Sequence, residues 1–136
     1  MKVVFDTNIF ISAFVVRGSL GERAFLLAQQ KRFDLCTSVS ILTETARKLR
    51  GKFNQADEDI TGALKLISRA STVYKPRVRV DVLADAPDNR ILECAHGAGA
   101  DLIVTGDRHL LKLKKYQDIP IIRLADLLRM FPSESG

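Results

Sequence analysis

Between Asp85 and Leu111 the chain reads DAPDNRILECAHGAGADLIVTGDRHLL: a helix-length stretch, a glycine-punctuated turn, and a short apolar run that stops on Gly106-Asp107. A helix followed by a buried strand is half of a βαβ unit, so the rest of the chain must supply parallel strands for it to join. Val3-Val4-Phe5 is such a run of strand formers, ending abruptly on Asp6-Thr7-Asn8, and Phe33 to Thr37 is another. Gly21 to Lys31 lies between them, with Ala24, Leu27 and Ala28 at helical spacing. The expected fold is therefore α/β, a three-layer α/β/α sandwich with a mostly parallel central sheet in which Lys2 to Asp6 is a central strand.

The remaining stretches fit that frame. Ile9 to Val16 reads as one helical turn followed by an extended piece. Ser38 or Ser40 can cap a helix whose buried face is expected to be Leu42, Ala46, Leu49 and Phe53. Gln55 to Ala70 follows as a second helix on Ile60, Ala63, Leu64 and Ile67, and Thr72 to Val82 as an extended edge segment with one wet face. Beyond it come a helix from about Asp88 to Ala98, a strand over Asp101 to Thr105, a short helix from Asp107 through Leu113, a strand at Pro120 to Ile122 and a helix from Leu124 to Met130. At 136 residues this is one domain over 1–131, with a frayed tail over 132–136.

Lys and Arg outnumber Asp and Glu by 21 to 16, a net charge of +5 that favours a polyanionic partner. Cys36 and Cys94 lack the spacing of a zinc or redox pair and read as buried, reduced thiols. A secretory leader pattern and a bilayer-spanning apolar run are both missing, so a soluble cytoplasmic protein with no membrane partner is expected.

Against the basic excess stand acids at element ends. Asp6 and Asp107 each follow an apolar run, and Asp88 opens the intervening helix just past Pro87. In an α/β fold those positions share the sheet edge where ligands bind. Each has a plainer reading: Asp6 and Asp107 as turn residues, Asp85 and Asp88 as helix caps. Glu44 projects away from its helix's apolar stripe and could be a solvated residue paired with Lys48. Carboxylates brought close together repel unless a cation joins them, and an all-oxygen cluster suits Mg²⁺ or Mn²⁺.

Four stretches together resemble the PIN-domain nucleases, in particular the small prokaryotic members that act as toxins of toxin–antitoxin pairs. They are Val4-Phe5-Asp6-Thr7-Asn8, Ser40-Ile41-Leu42-Thr43-Glu44, Asp85-Ala86-Pro87-Asp88-Asn89-Arg90-Ile91-Leu92-Glu93 and Ile103-Val104-Thr105-Gly106-Asp107-Arg108-His109-Leu110-Leu111. The resemblance covers nearly the whole chain. It places the family's four acidic positions, catalytic and metal-binding, on Asp6, Glu44, Asp88 and Asp107, with Thr7, Asn8 and Thr105 as supporting polar residues. It implies an endoribonuclease that uses Mg²⁺ or Mn²⁺ to activate the attacking water, leaving a 5′-phosphate and a 3′-hydroxyl. It further implies an RNA substrate, a homodimer formed by apolar helix faces of the first half, and a small antitoxin protein whose segment covers or fills the acidic site.

Basic groups follow two of the acids, and Arg47, Arg108 and Lys112 are the candidates for RNA phosphate contacts. His96 fits a helix C-terminus and His109 a surface, so neither is assigned to catalysis. Other phosphate chemistries fit less well. A haloacid-dehalogenase-like site needs a second Asp where Asn8 stands, a receiver domain needs paired acids at the first strand end, and the length and Lys of a nucleotide-binding loop are missing around Gly106. The alternative is a non-catalytic PIN-like module that binds RNA or a protein.

Overall fold

The computed structural model describes residues 1–132, and the rest of the expected frayed tail, 133–136, lies outside the described residues. The elements run β1 (Lys2–Phe5), α1 (Thr7–Val15), α2 (Leu20–Gln29), β2 (Asp34–Ser38), α3 (Val39–Gly51), α4 (Asp57–Ala70), β3 (Ser71–Tyr74), α5 (Ala86–Ala98), β4 (Leu102–Val104), α6 (Arg108–Leu113), β5 (Lys115–Tyr116), β6 (Ile119–Ile122) and α7 (Leu124–Met130). The sheet order is β3-β2-β1-β4-β6-β5, and every pairing is parallel except that of β5 with β6. This is the expected α/β sandwich, with β1 central. Its register sets Phe5 beside Val104, so Asp6 and Thr105 leave the sheet as neighbours.

Burial explains why the strands read as continuous apolar runs. Val3, Val4, Phe5, Ile103 and Val104 are all fully buried, which requires cover on both faces of the sheet. Phe5 packs against Phe10 and Phe33, and Phe10 and Phe14 of α1 pack against Phe25 of α2. Those aromatic contacts account for one departure from expectation: α1 is helical through Val15 and does not turn extended after one turn. Tertiary packing outweighs the strand preference of Ile9, Ile11 and Val15. Gly21 allows the two helices to meet, since a Cβ there would come within 2.9 Å of the Ile9 carbonyl oxygen.

The phase of α3 also differs. Its buried residues are Ile41, Thr45 and Leu49, while Leu42 and Ala46 are half-buried and Phe53 is exposed. Thr45 can occupy the core because its hydroxyl donates to the Ile41 carbonyl at 2.8 Å. The polar residue on the buried face shifts the apparent stripe by one position.

Residues 75–85 form no extended ladder. They run as a strap along α5 from its C-terminal end, where Pro76 lies against Gly97, to its start at Asp85. Side chains of α5 hold the strap's backbone: Asn89 Oδ1 accepts from Val82 N and Leu83 N at 3.1 and 2.9 Å, and its Nδ2 donates to Leu83 O at 2.8 Å. Glu93 and Arg90 grip Val80 in the same way. The strap thereby delivers Asp85 to the N-cap of α5, whose other end closes on Gly99 in the left-handed region, φ +63°. Among the described residues no helix is long and apolar enough to cross a membrane.

Candidate active site

Five carboxylates share one cleft of about 260 Å³ at the carboxyl edge of the sheet: Asp6, Glu44, Asp85, Asp88 and Asp107. Thr7 and Asn8 line it too, and Arg47, Lys48 and Lys52 stand along its α3 wall. Each acid arrives by a separate local rule.

Asp6 is the residue at which β1 becomes α1. Its backbone N–H still donates to Val104 O at 3.0 Å, continuing the β1–β4 ladder, while its Oδ1 caps α1 by accepting from Asn8 N at 3.0 Å. Its Oδ2 accepts from Thr105 Oγ1 at 2.5 Å, and that hydroxyl oxygen in turn accepts from Asp107 N at 2.9 Å. Asp107 ends the relay as the N-cap of α6, where Oδ1 accepts from His109 N and Leu110 N at 2.7 and 3.1 Å. One buried hydroxyl thus fixes both strand-end acids. Burial raises the Asp6 pKa above the usual carboxylate range, against the pull of the Thr105 and Asn8 bonds.

The helix-borne acids are held differently. Asp88 sits in the first turn of α5 and is only 7% exposed, yet its Oδ2 has no partner among the described residues. Its pKa is pushed up to about 7, first by burial and then by the charges of Asp107, Asp85 and Asp6. Asp85 occupies the N-cap position without capping, so its carboxylate faces the cleft unspent. Glu44 is bound bidentately by Arg47, Nε to Oε2 at 3.0 Å and Nη2 to Oε1 at 2.5 Å, which lowers its pKa. The expected Glu44–Lys48 pair is not formed; Lys48 Nζ donates to Asn8 Oδ1 at 3.2 Å.

The structure therefore brings Asp6, Glu44, Asp88 and Asp107 together with Thr7 and Asn8, and joins Thr105 to them through Asp6. Of the basic candidates it places Arg47 in the cleft, whereas Arg108 and Lys112 are exposed on α6 and form none of its walls. Asp107 caps α6 from its first turn, and the helix carries those two side chains away. Lys48 and Lys52 are there instead. The signal for them was present: positions 44, 48 and 52 recur every fourth residue and so share a helix face.

A buried carboxylate oxygen with no donor, surrounded by four further acids, calls for a cation. The donors are all hard oxygens, the set that Mg²⁺ and Mn²⁺ prefer. Among the described residues no three acidic, His or Cys side chains converge into a ready-made cage. An ion in the cleft would therefore be held by these carboxylates partly through water, which Mg²⁺ keeps readily.

Residues 2–109 match the family model of the PIN domain. The chain is 33% identical over 132 residues to the uncharacterized protein MJ1680 of Methanocaldococcus jannaschii, covering 91% of this chain and 84% of that one. In fold it is similar to a chain of VapBC2 from Rickettsia felis, solved bound to a DNA fragment from their promoter, with a TM-score of 0.62 at 16% identity over 90% of this chain and 98% of that one. It is also similar to PAE2754 from Pyrobaculum aerophilum, with a TM-score of 0.61 at 16% identity over 95% and 87% of the two chains.

Proposed function

The chain belongs to the PIN domain family, whose members are generally nucleases, and from that premise we propose that it is a metal-dependent endoribonuclease. The observation that carries the reading is the unpartnered, buried Oδ2 of Asp88 within a group of five acids at the sheet edge. Most buried side-chain polar atoms are hydrogen-bonded, and among the described residues Asp88 Oδ2 is the one carboxylate oxygen in the few exceptions.

In this reading Asp6, Asp88, Asp107 and Glu44 hold Mg²⁺ or Mn²⁺, with Asp85 beside them. When bound, the cation supplies positive charge opposite the scissile phosphate and makes water a stronger acid. Thr105 orients Asp6 and the Asp107 backbone through one hydroxyl, while Lys48 fixes Asn8. Arg47, Lys48 and Lys52 neutralise RNA phosphates along the α3 wall. Asp88 acts as a ligand only when ionised, so cation binding tightens as pH rises through 7.

The biological setting belongs to the same proposal. We assign the chain to the toxin side of a toxin–antitoxin pair, acting as a homodimer and restrained by a small antitoxin that covers the acidic cleft. The similarity in fold to the VapBC2 chain supports this placement.

The test is cleavage of a mixed single-stranded RNA pool by purified protein with Mn²⁺, with Mg²⁺ and with chelator, beside Asp6→Asn. Cleavage that requires metal and disappears in the variant is the expected result. RNA bound but uncut under every metal would replace this reading with a non-catalytic binding module.

A further inference from the structure

A second, smaller cavity of about 210 Å³ adjoins the acidic cleft and shares Thr7, Glu44 and Pro87 with it. Its remaining walls are Ser40 and Ile41 of α3 and Ala86 and Arg90 of α5. We propose that this cavity is a nucleobase subsite, which accepts the base of a nucleotide flanking the cleaved phosphate and selects bases that carry a carbonyl oxygen.

The argument begins with Arg90. Its side chain is 15% exposed and is held twice: Nε forms an ion pair with Glu93 Oε1 at 2.9 Å without hydrogen-bond alignment, and Nη2 donates to Val80 O at 2.8 Å. Glu93 closes the arrangement by accepting from Val80 N through Oε2, also at 2.8 Å. The buried Glu93 neutralises the guanidinium and the strap backbone fixes its plane. Nη1 is left without a partner among the described residues. A guanidinium immobilised before any ligand arrives loses little freedom on binding, which is the condition for selective recognition.

The rest of the cavity matches a base better than a phosphate. Ala86 and Pro87 give apolar surface for a flat ring, and the Ser40 hydroxyl adds one adjustable polar group. Glu44 on the shared wall repels an anion. The volume is too small for a whole nucleotide, so the sugar and phosphate stay in the larger cleft. Single-stranded RNA is read in this manner, by splayed bases hydrogen-bonded on their edges. Arginine only donates, so guanine, uracil and cytosine, with carbonyl acceptors, are favoured over adenine, whose accepting N1 and N7 each stand beside the N6 amino group, a donor that faces the guanidinium unfavourably.

This inference rests on the nuclease reading, and two arms separate their failures. In the first, the ends released from a randomised RNA pool are sequenced for the wild type, for Arg90→Lys and for Ser40→Phe, which fills the cavity from an exposed position. The wild type should disfavour adenine about tenfold at one position beside the cut, the size of one charge-assisted hydrogen bond. Both variants should reduce that bias to less than about twofold. In the second arm, chelator stops cleavage and the binding of oligo(A) is compared with that of oligo(U). Weaker oligo(A) binding that equalises in Ser40→Phe supports the subsite even if no RNA is ever cut. Equal binding by the wild type, or a bias that both variants keep, overturns it.

Discussion

The two halves of the acidic cleft are built on opposite principles. On the strand side, Asp6 and Asp107 each accept two hydrogen bonds, among them the bonds that cap the helix following each. On the α5 side, Asp88 has a bare buried oxygen and Asp85 declines the capping bond its position offers. The strand-end acids therefore anchor the helices that follow them whether or not a ligand is present, although burial raises the pKa of Asp6 too. Asp88 carries a buried oxygen whose charge a proton or a cation would compensate.

The sharpest way to divide the two halves is to neutralise one acid in each. Asp6→Asn and Asp88→Asn should each lower RNA cleavage by about 10³-fold, as expected for losing a charged group at the reacting centre. Their stabilities should part company: with metal absent at pH 8, Asp88→Asn should melt above the wild type and Asp6→Asn below it. Equal shifts in thermal melts would erase the distinction.

A smaller effect isolates the hydroxyl that serves both strand-end acids. Thr105→Val removes the donor to Asp6 and the acceptor for Asp107 N while keeping the side chain's volume. Cleavage should fall by about 10- to 100-fold, the range for a residue that orients a metal ligand, with about 1–2 kcal/mol of stability lost in urea titration.

The pH response should belong to the α5 half. Asp88 has a folded pKa of about 7 against an ordinary value of 3.8, so the folded state holds a proton that the unfolded chain releases. Stability of the metal-free protein is then greatest below about pH 4 as far as this group is concerned, and is lost as pH rises to about 7. The loss should be about 1–2 kcal/mol, less than the full shift would imply, because the cleft admits water. Asp88→Asn should flatten the profile, and saturating Mg²⁺ should restore wild-type stability at pH 8. Smallest of all, Arg47→Ala should leave the melting temperature within a degree or two and shallow the salt dependence of RNA binding by roughly one phosphate contact.

How far each half could be read from the sequence follows from its physics. Asp6 and Asp107 end apolar runs of strand formers, and a strand buried on both faces announces itself as such a run. Asp88 follows a proline at a helix start, which is equally legible. Glu44 was not, because Thr45 sits on the buried face of α3 and displaces the apparent apolar stripe onto Leu42 and Ala46. Those residues lie instead in an open groove with Val39 and Leu64, between α3 and α4. The strap over 75–85 alternates as Arg77-Val78-Arg79-Val80, which reads as an edge strand, but its backbone bonds at Val80, Val82 and Leu83 go to the side chains of Asn89, Arg90 and Glu93. At two residues, β5 is too short for any pattern, and the departure of Arg108 and Lys112 from the cleft depends on the exit angle of α6.

The Asp6–Thr105 hydrogen bond joins residues 99 positions apart. On the ribosome Asp6 emerges 99 residues ahead of Thr105, and the last acid of the cleft follows after that. Until then β1 has no β4 beside it, and the carboxylates are scattered along an unfinished chain. The cleft therefore cannot assemble during synthesis until β4 has left the ribosome and paired with β1.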